Sequence, residues 1–299
     1  PTATVSANPT AVNSGGSSNI SWSSINASLC NIYNGSLLFG SGTSGGPSSS
    51  GSLYSDTIFS ATCYGQNEKS NQFVTSSVTV PVFDYSLTNS GNISVTRGYS
   101  GTNTLTLTKN SGNTQSVSLS ASGLPSGASV SFSPTSCNPN CSPTLTISTS
   151  GTTPAGTYPI AITGSPISRT TTFNLIVNQQ TLSVSLTVDK TSGTAPLNNV
   201  NLDATIGGNA LGTINYYFYC NWTGSGSADK VFLNIDNTSK SFKCDYTTGG
   251  TKTARVRVER GSAPSAEATQ AVTVSWPTLA LSCSVSPSAT TVGNNVTWT

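Results

Sequence analysis

The sequence predicts an all-β chain of tandem β-sandwich modules in an elongated array, and three observations predict it. One strand grammar occurs at both ends: residues 5–22 read V-S-A-N-P-T-A-V-N-S-G-G-S-S-N-I-S-W and residues 285–298 read V-S-P-S-A-T-T-V-G-N-N-V-T-W. Each is two short alternating strands split by a Gly/Asn turn, with Trp22 or Trp298 near the end of the second. Recurrence of one grammar marks a module array. The second observation is period. Charged residues are 7% of the chain and Ser plus Thr roughly a third, a balance that can mean disorder. Yet 34% of residues are hydrophobic, and they recur at period two, which is the spacing of half-buried strands. The third is that the cysteines sort by module.

The first module spans residues 1–81. Ile20 and Trp22 share one strand face, as do Phe59, Ala61 and Cys63 on another. Between them G-S-G-T-S-G-G-P-S-S-S-G-S (40–52) has nothing to bury and is expected as a mobile loop or a poorly ordered edge. The run W-S-S-I-N-A-S-L-C (22–30), followed by an aromatic-x-x-x-Cys strand at 59–63, resembles Ig-like repeats of very large bacterial surface proteins.

The second module spans 82–178. Its alternating strands carry Leu105/Leu107, Val117/Leu119, Val130/Phe132, Leu145/Ile147, Tyr158/Ile160/Ile162 and Phe173/Leu175/Val177, enough for a sandwich. Pro159 interrupts one strand and is expected at an edge or bulge. The stretches G-L-P-S-G-A-S-V-S-F-S-P (123–134) and T-P-A-G-T-Y-P-I-A-I-T-G (153–164) resemble a bacterial Ig-like module of secreted multidomain proteins, to which the C-N-P-N-C loop (137–141) is an addition.

The third module spans 179–276. On I-N-Y-Y-F-Y-C (214–220), alternation sends Ile214, Tyr216 and Phe218 to the core and Tyr217 and Tyr219 outward. S-G-T-A-P-L (192–197) and Y-T-T-G-G-T-K-T-A-R-V-R-V (246–258) resemble the polycystic-kidney-disease-type (PKD) domain, a small β-sandwich of surface and secreted proteins. The acidic turn usual in that family is replaced here by Y-F-Y-C-N-W-T-G (217–224), so the resemblance implies a fold and no function. Residues 277–299 read as the opening strands of a further, incomplete Ig-like module. Val296 and Trp298 would then need cover from a longer polypeptide or from a neighbouring subunit that accepts the strands. The chain begins at Pro1, so it is expected to be processed or excerpted from something longer.

Cys30 and Cys63 fall in the first module, Cys137 and Cys141 in the second, and Cys220 and Cys244 in the third. With no histidine to share a metal, these pairs read as disulfides, the alternative being reduced core thiols. A bridge across C-N-P-N-C suits a local staple, because two thiols cannot complete a tetrahedral site. Cys283 opens the fourth module, and its expected partner lies beyond Thr299. The compartment implied is oxidising, hence extracellular or cell-surface.

Composition excludes more than it assigns. Without histidine the chain can build neither a Ser-His-Asp triad nor a His-ligated metal site. A carboxylate pair could still hydrolyse glycosides, but only Asp56, Glu68 and Asp84 precede residue 189, in no recognisable motif. No acidic cluster of the kind calcium needs is present, so no catalytic residue, metal or cofactor is expected. Asp189 and Lys190 are candidates for an intramolecular isopeptide bond or two ordinary surface charges. The net charge of +2, without a basic patch interleaved with aromatics, gives no sign of nucleic-acid binding. No apolar run approaches the ~20 residues of a membrane span. The sequons at Asn19, Asn26, Asn34, Asn92, Asn221, Asn237 and Asn295 are about as many as composition gives by chance, and they mark candidate glycosylation sites.

Tyr217 and Tyr219 are the sharpest surface feature: either a face covered by a neighbouring loop or a contact for a subunit or ligand. The leading functional expectation is a structural module array of an extracellular surface protein, forming a stalk, fibre or filament. Its partners would be further modules or further copies of itself. Adhesin or glycan-binding modules, and non-catalytic spacers of a secreted hydrolase, are the alternatives.

Overall fold

The computed structural model describes residues 1–65, 72–282, 285–286 and 297–298. These residues are all β, without a helix among them. They fall into two compact units, Pro1–Gln179 and Gln180–Thr299.

The first unit opens with β1 (Thr2–Asn8), β2 (Val12–Asn13), β3 (Asn19–Ile25) and β4 (Ala27–Asn34). It continues through β5 (Leu37–Ser41), β6 (Ser44–Ser49), β7 (Thr57–Gly65) and β8 (Phe73–Val80). A sheet of order β1-β3-β6 packs on one of order β5-β4-β7-β8. Val5, Ala7, Ile20 and Trp22 from the first meet Cys30, Ile32, Phe59, Ala61 and Cys63 from the second in one core. The Gly/Ser-rich stretch lies at a sheet edge, one of the two places expected for it, but as a regular paired strand instead of a poorly ordered one. Ser44–Ser49 is an edge strand paired with β3, and its glycines have a packing role. A Cβ on Gly45 would lie 2.2 Å from the Trp22 ring, and one on Gly40 2.6 Å from it. The indole therefore lies flush against backbone that only glycine leaves open, and its N–H donates to the Gly42 carbonyl at 3.1 Å.

The second sandwich of this unit is built from β9 (Val82–Asn89), β10 (Ile93–Thr96), β11 (Ser100–Ser111), β12 (Val117–Ser122) and β13 (Ala128–Ser133). It is completed by β14 (Ser136–Cys137), β15 (Thr144–Thr149), β16 (Gly156–Ser165) and β17 (Arg169–Asn178). Its sheets have the orders β10-β17-β16-β12-β14 and β13-β15-β11-β9-β2. Their inner faces bury Leu105, Leu107, Leu145, Ile147, Ile160, Ile162 and Leu175 in a single core.

Pro159 lies in an inner strand but at a locally open stretch of it. The ladder from β16 to β12 ends at Ala161, so no backbone partner waits for the amide hydrogen that proline lacks. The C-N-P-N-C loop extends a ladder instead of hanging from the surface. β15 pairs with β11 up to Thr104. Beyond it the Leu105 and Leu107 N–H groups donate to Pro143 and Cys141 carbonyls at 2.9 Å each, and the Lys109 N–H donates to Asn140 Oδ1 at 3.0 Å.

The second unit contains β18 (Leu182–Val188), β19 (Ser192–Thr194), β20 (Leu197–Gly208) and β21 (Ile214–Tyr219). β22 (Lys230–Ile235), β23 (Ser239–Tyr246), β24 (Gly250–Arg260) and β25 (Ala266–Ser275) follow. Sheets of order β18-β20-β23 and β19-β25-β24-β21-β22 enclose a core of Val200, Leu202, Ile214, Tyr216, Phe218, Val256, Val258 and Val272. Two buried tyrosines keep their hydroxyls satisfied: Tyr216 donates to the Asn237 carbonyl and Tyr246 to that of Cys220, both at 2.9 Å. The chain ends in β26 (Val285–Ser286) and β27 (Thr297–Trp298), which pair antiparallel. Cys283 and Val296 lie outside the described residues.

Candidate functional site: a closed module junction and an aromatic–arginine face

The boundary between the two sandwiches of the first unit has no linker. β8 ends at Val80 and β9 begins at Val82, with Pro81 alone between them. The two-residue strand β2 leaves its own sandwich to pair parallel with the start of β9, Val12 against Val82 and Asn13 against Phe83. Val12 N–H donates to the Pro81 carbonyl and Ser14 N–H to that of Phe83, both at 3.0 Å. Side chains close the joint from three sides. The Asp56 carboxylate accepts the Val82 N–H at 2.7 Å, the Ser111 hydroxyl donates to the Val82 carbonyl at 2.6 Å, and Gln115 Nε2 donates to Asn13 Oδ1 at 3.0 Å. Gly112, at φ +69°, lets its turn touch this backbone, since a Cβ there would lie 2.4 Å from the Val82 carbonyl carbon. A joint whose backbone groups are shared between modules resists bending, because any hinge motion leaves partly buried polar groups unpaired.

The second feature is the outer face of the five-stranded sheet in the second unit. Register sets Tyr217 opposite Arg257 and Tyr219 opposite Arg255, and alternation puts all four side chains on the face away from the core. Tyr219 is nevertheless buried, at 8% exposure. Trp222 lies edge-on to its ring at a centroid distance of 4.8 Å, and Arg255 spreads over both aromatics, 4.9 Å from Tyr219 and 3.9 Å from Trp222. Tyr219 thus faces away from the core as expected, and of the two readings of that face it is the covered one that the structure shows. The indole just beyond the end of β21 and the guanidinium on β24 cover it. Arg255 is itself buried, and its charge is met by the Glu267 carboxylate as well as by the two π faces.

Tyr217 is half-buried, with Arg257 5.1 Å from its ring centroid. Its hydroxyl donates to Glu259 Oε2 at 2.9 Å, and Arg257 pairs with the other oxygen of the same carboxylate. That hydrogen bond to Glu259, followed by burial, pushes the Tyr217 hydroxyl above its ordinary pKa. Trp222, Arg255, Arg257 and Glu259 were not singled out by sequence. The alternation in R-V-R-V-E (255–259) puts Arg255, Arg257 and Glu259 on one face, but only the register brings that face beside the tyrosines.

The other singled-out residues are placed as follows. Cys30 is bonded to Cys63, Cys137 to Cys141 and Cys220 to Cys244. The first pair joins residues directly opposite each other on adjacent strands of one sheet. Asn19, Asn26, Asn92, Asn221 and Asn237 are exposed, and Asn34 is half-buried. The side-chain oxygens of Asn92, Asn221 and Asn237 accept backbone N–H groups of Asn174, Thr253 and Ser239. Asn295 and Glu68 lie outside the described residues. Lys190 Nζ donates to the Asn198 and Asn199 carbonyls, while Asp189 Oδ1 accepts the Asn201 N–H.

No family model matches the chain, and no curated protein sequence does. Among solved structures it is similar to the I-band fragment I67–I69 of titin, with 8% identity over 89% of this chain and 95% of that one, at a TM-score of 0.39. It is similar to a tetra-tandem repeat from the extending region of a large adhesion protein, with 13% identity over 90% of this chain and 74% of that one, at a TM-score of 0.37. Domains 4 and 5 of the S-layer protein SbsC share 21% identity over 40% of this chain, at a TM-score of 0.27. The match spans 64% of that S-layer fragment. The described residues form β-sandwiches in tandem along the chain.

Proposed function

We propose that this chain is a structural module array of an extracellular surface protein, contributing to a stalk, fibre or filament. The observation that carries the reading is the closed junction at Pro81–Val82, where β2 of one sandwich pairs with the first strand of the next. A module that had only to display a ligand could hang on a mobile tether. One that transmits tension or sets a spacing needs its orientation relative to its neighbour fixed, and shared backbone hydrogen bonds do that.

The disulfides support the same reading. Each of the three packed cores has one, which suits an oxidising compartment outside the cytoplasm. A sparsely charged, Ser/Thr-rich chain needs no catalytic chemistry for such a role, and we assign it no enzymatic step. Its partners on this reading are further modules of its own polypeptide or other copies of it.

Immunogold labelling of native cell material with an antibody to this chain, viewed in negative stain, tests the proposal. Label in regular spacing along fibres or an ordered surface layer is the expected result. Label found only on dispersed single particles would overturn it.

A further inference from the structure

We propose that the recess at the shared end of β21 and β24, lined by Thr213, Asn215, Glu259, Arg260 and Ser265, binds a neutral, hydroxyl-rich glycan. The recess measures about 400 Å³, within the range of small-ligand sites at roughly 300–1,000 Å³. Asn215 and Glu259 stand directly opposite each other in the β21–β24 register, and Tyr217 follows Asn215 on the same face.

The polar groups here are fixed before any ligand arrives. Both oxygens of Glu259 are already engaged by the Tyr217 hydroxyl and Arg257. The carboxylate is thereby locked in place, and its remaining lone pairs are open to further donors. Asn215 Oδ1 accepts the Asn234 N–H at 3.0 Å, which leaves the Nδ2 hydrogens as the donors of that amide. Asn234 adopts a left-handed φ of 56°, beside a register shift between β21 and β22. Arg260 is anchored through Nε to the Gly212 carbonyl at 2.8 Å. Preordering of this kind removes much of the entropy cost of binding.

The chemistry of the lining selects the ligand class. A fixed carboxylate acceptor, amide and guanidinium donors, and the Thr213 and Ser265 hydroxyls alternate donor and acceptor, as paired sugar hydroxyls require. Glu259 is already paired with Arg257, so the only excess charge at the lining is that of Arg260, and a single guanidinium among hydroxyl, amide and carboxylate groups suits sugar hydroxyls, with sulfate as the competing ligand to be tested. Beside the recess, Tyr217 lies opposite Val231, and Val231 and Leu233 are 40% and 57% exposed on the same face. These apolar surfaces suit the C–H face of a pyranose ring.

The test is an NMR titration of the isotope-labelled full chain with maltotriose, cellotriose and xylotriose, with sodium sulfate as the anionic comparison. Saturable shifts at the amides of Asn215, Glu259, Arg260 and Gly261 are expected with at least one trisaccharide, at a Kd below about 10 mM. Glu259→Gln should weaken binding about tenfold by removing a charge-assisted acceptor. Asn215→Ala should act in the same direction and serves as the second variant if the first disturbs the spectrum. Three outcomes would overturn the proposal: no saturable shift at these amides with any of the three sugars, wild-type affinity in both variants, or sulfate binding there as tightly as the sugar.

Discussion

Arg255, Tyr219 and Trp222 show how a side chain that alternation sends outward can end up buried. The guanidinium caps the ring of Tyr219 and lies against Trp222, and Glu267 from the neighbouring strand balances its charge. Arg255 and Glu267 come from other strands and Trp222 from beyond the end of β21, outside its alternation, so the sequence indicates which face Tyr219 is on and is silent about what covers it. Tyr217, whose hydroxyl reaches Glu259 on the next strand, was partly legible for the same reason. Tyr246 yields a sharper residue-scale prediction. Burial, with a smaller contribution from the Asp229 charge, raises its hydroxyl from the ordinary value of 10.0 to about 12. The folded state therefore holds the proton more tightly than the unfolded chain. The stability this contributes is fully present below pH 10 and is lost progressively as pH rises towards 12. Denaturant titrations should show a loss of about 2–3 kcal/mol from this group across that window. In Tyr246→Phe the alkaline slope should be visibly shallower, with a residue of slope left by Tyr85, Tyr216 and Tyr217, whose values are also raised. An unchanged slope would show that Tyr246 is not the titrating group.

At the scale of strands, period-two alternation carries most of the information, because a strand with one buried face must keep its apolar residues on it. Phe59, Ala61 and Cys63, or Ile214, Tyr216 and Phe218, could be assigned to the core from sequence alone, and all six are buried. The Gly/Ser stretch around β6 was illegible by the same rule, since glycine has no side chain to alternate. Its meaning depends on Trp22, about twenty positions away, whose ring occupies the space where side chains on Gly40 and Gly45 would be. Gly45→Ala should therefore lower the stability of the first sandwich by about 1–3 kcal/mol through overpacking, measured by urea unfolding of the full chain with Trp fluorescence. Gly51→Ala is unsuitable as a comparison because of its φ of +71°. Ser48→Ala on the same strand is the better control and should stay within about 0.5 kcal/mol of the parent.

For the whole molecule, what matters is how modules are joined. Alternating strands and cysteine pairs point to separate sandwiches, but nothing local marks Val12–Asn13 as a strand belonging to its neighbour's sheet. That pairing is parallel and spans about seventy residues of sequence. The joint should be sensitive to Asp56, whose carboxylate accepts the Val82 N–H. In residual dipolar couplings of the full chain, the two sandwiches of the first unit should share one alignment tensor. Asp56→Ala should give them two, and a single tensor in that variant would mean the side chain contributes nothing to the joint.

Stretching the full chain by its ends, one molecule at a time, puts the tension-bearing role itself to the test. Each disulfide shields the chain it encloses from extension, so adding a reductant should lengthen the released contour. At about 3.5 Å per residue, the sequence separations of 33 for Cys30–Cys63 and 24 for Cys220–Cys244 correspond to gains of roughly 115 Å and 85 Å in two of the unfolding steps. Discrete rupture steps whose lengths grow by these amounts on reduction are the expected result. Smooth extension without ruptures, or steps indifferent to the reductant, would contradict a structural array held by closed sandwiches and their disulfides.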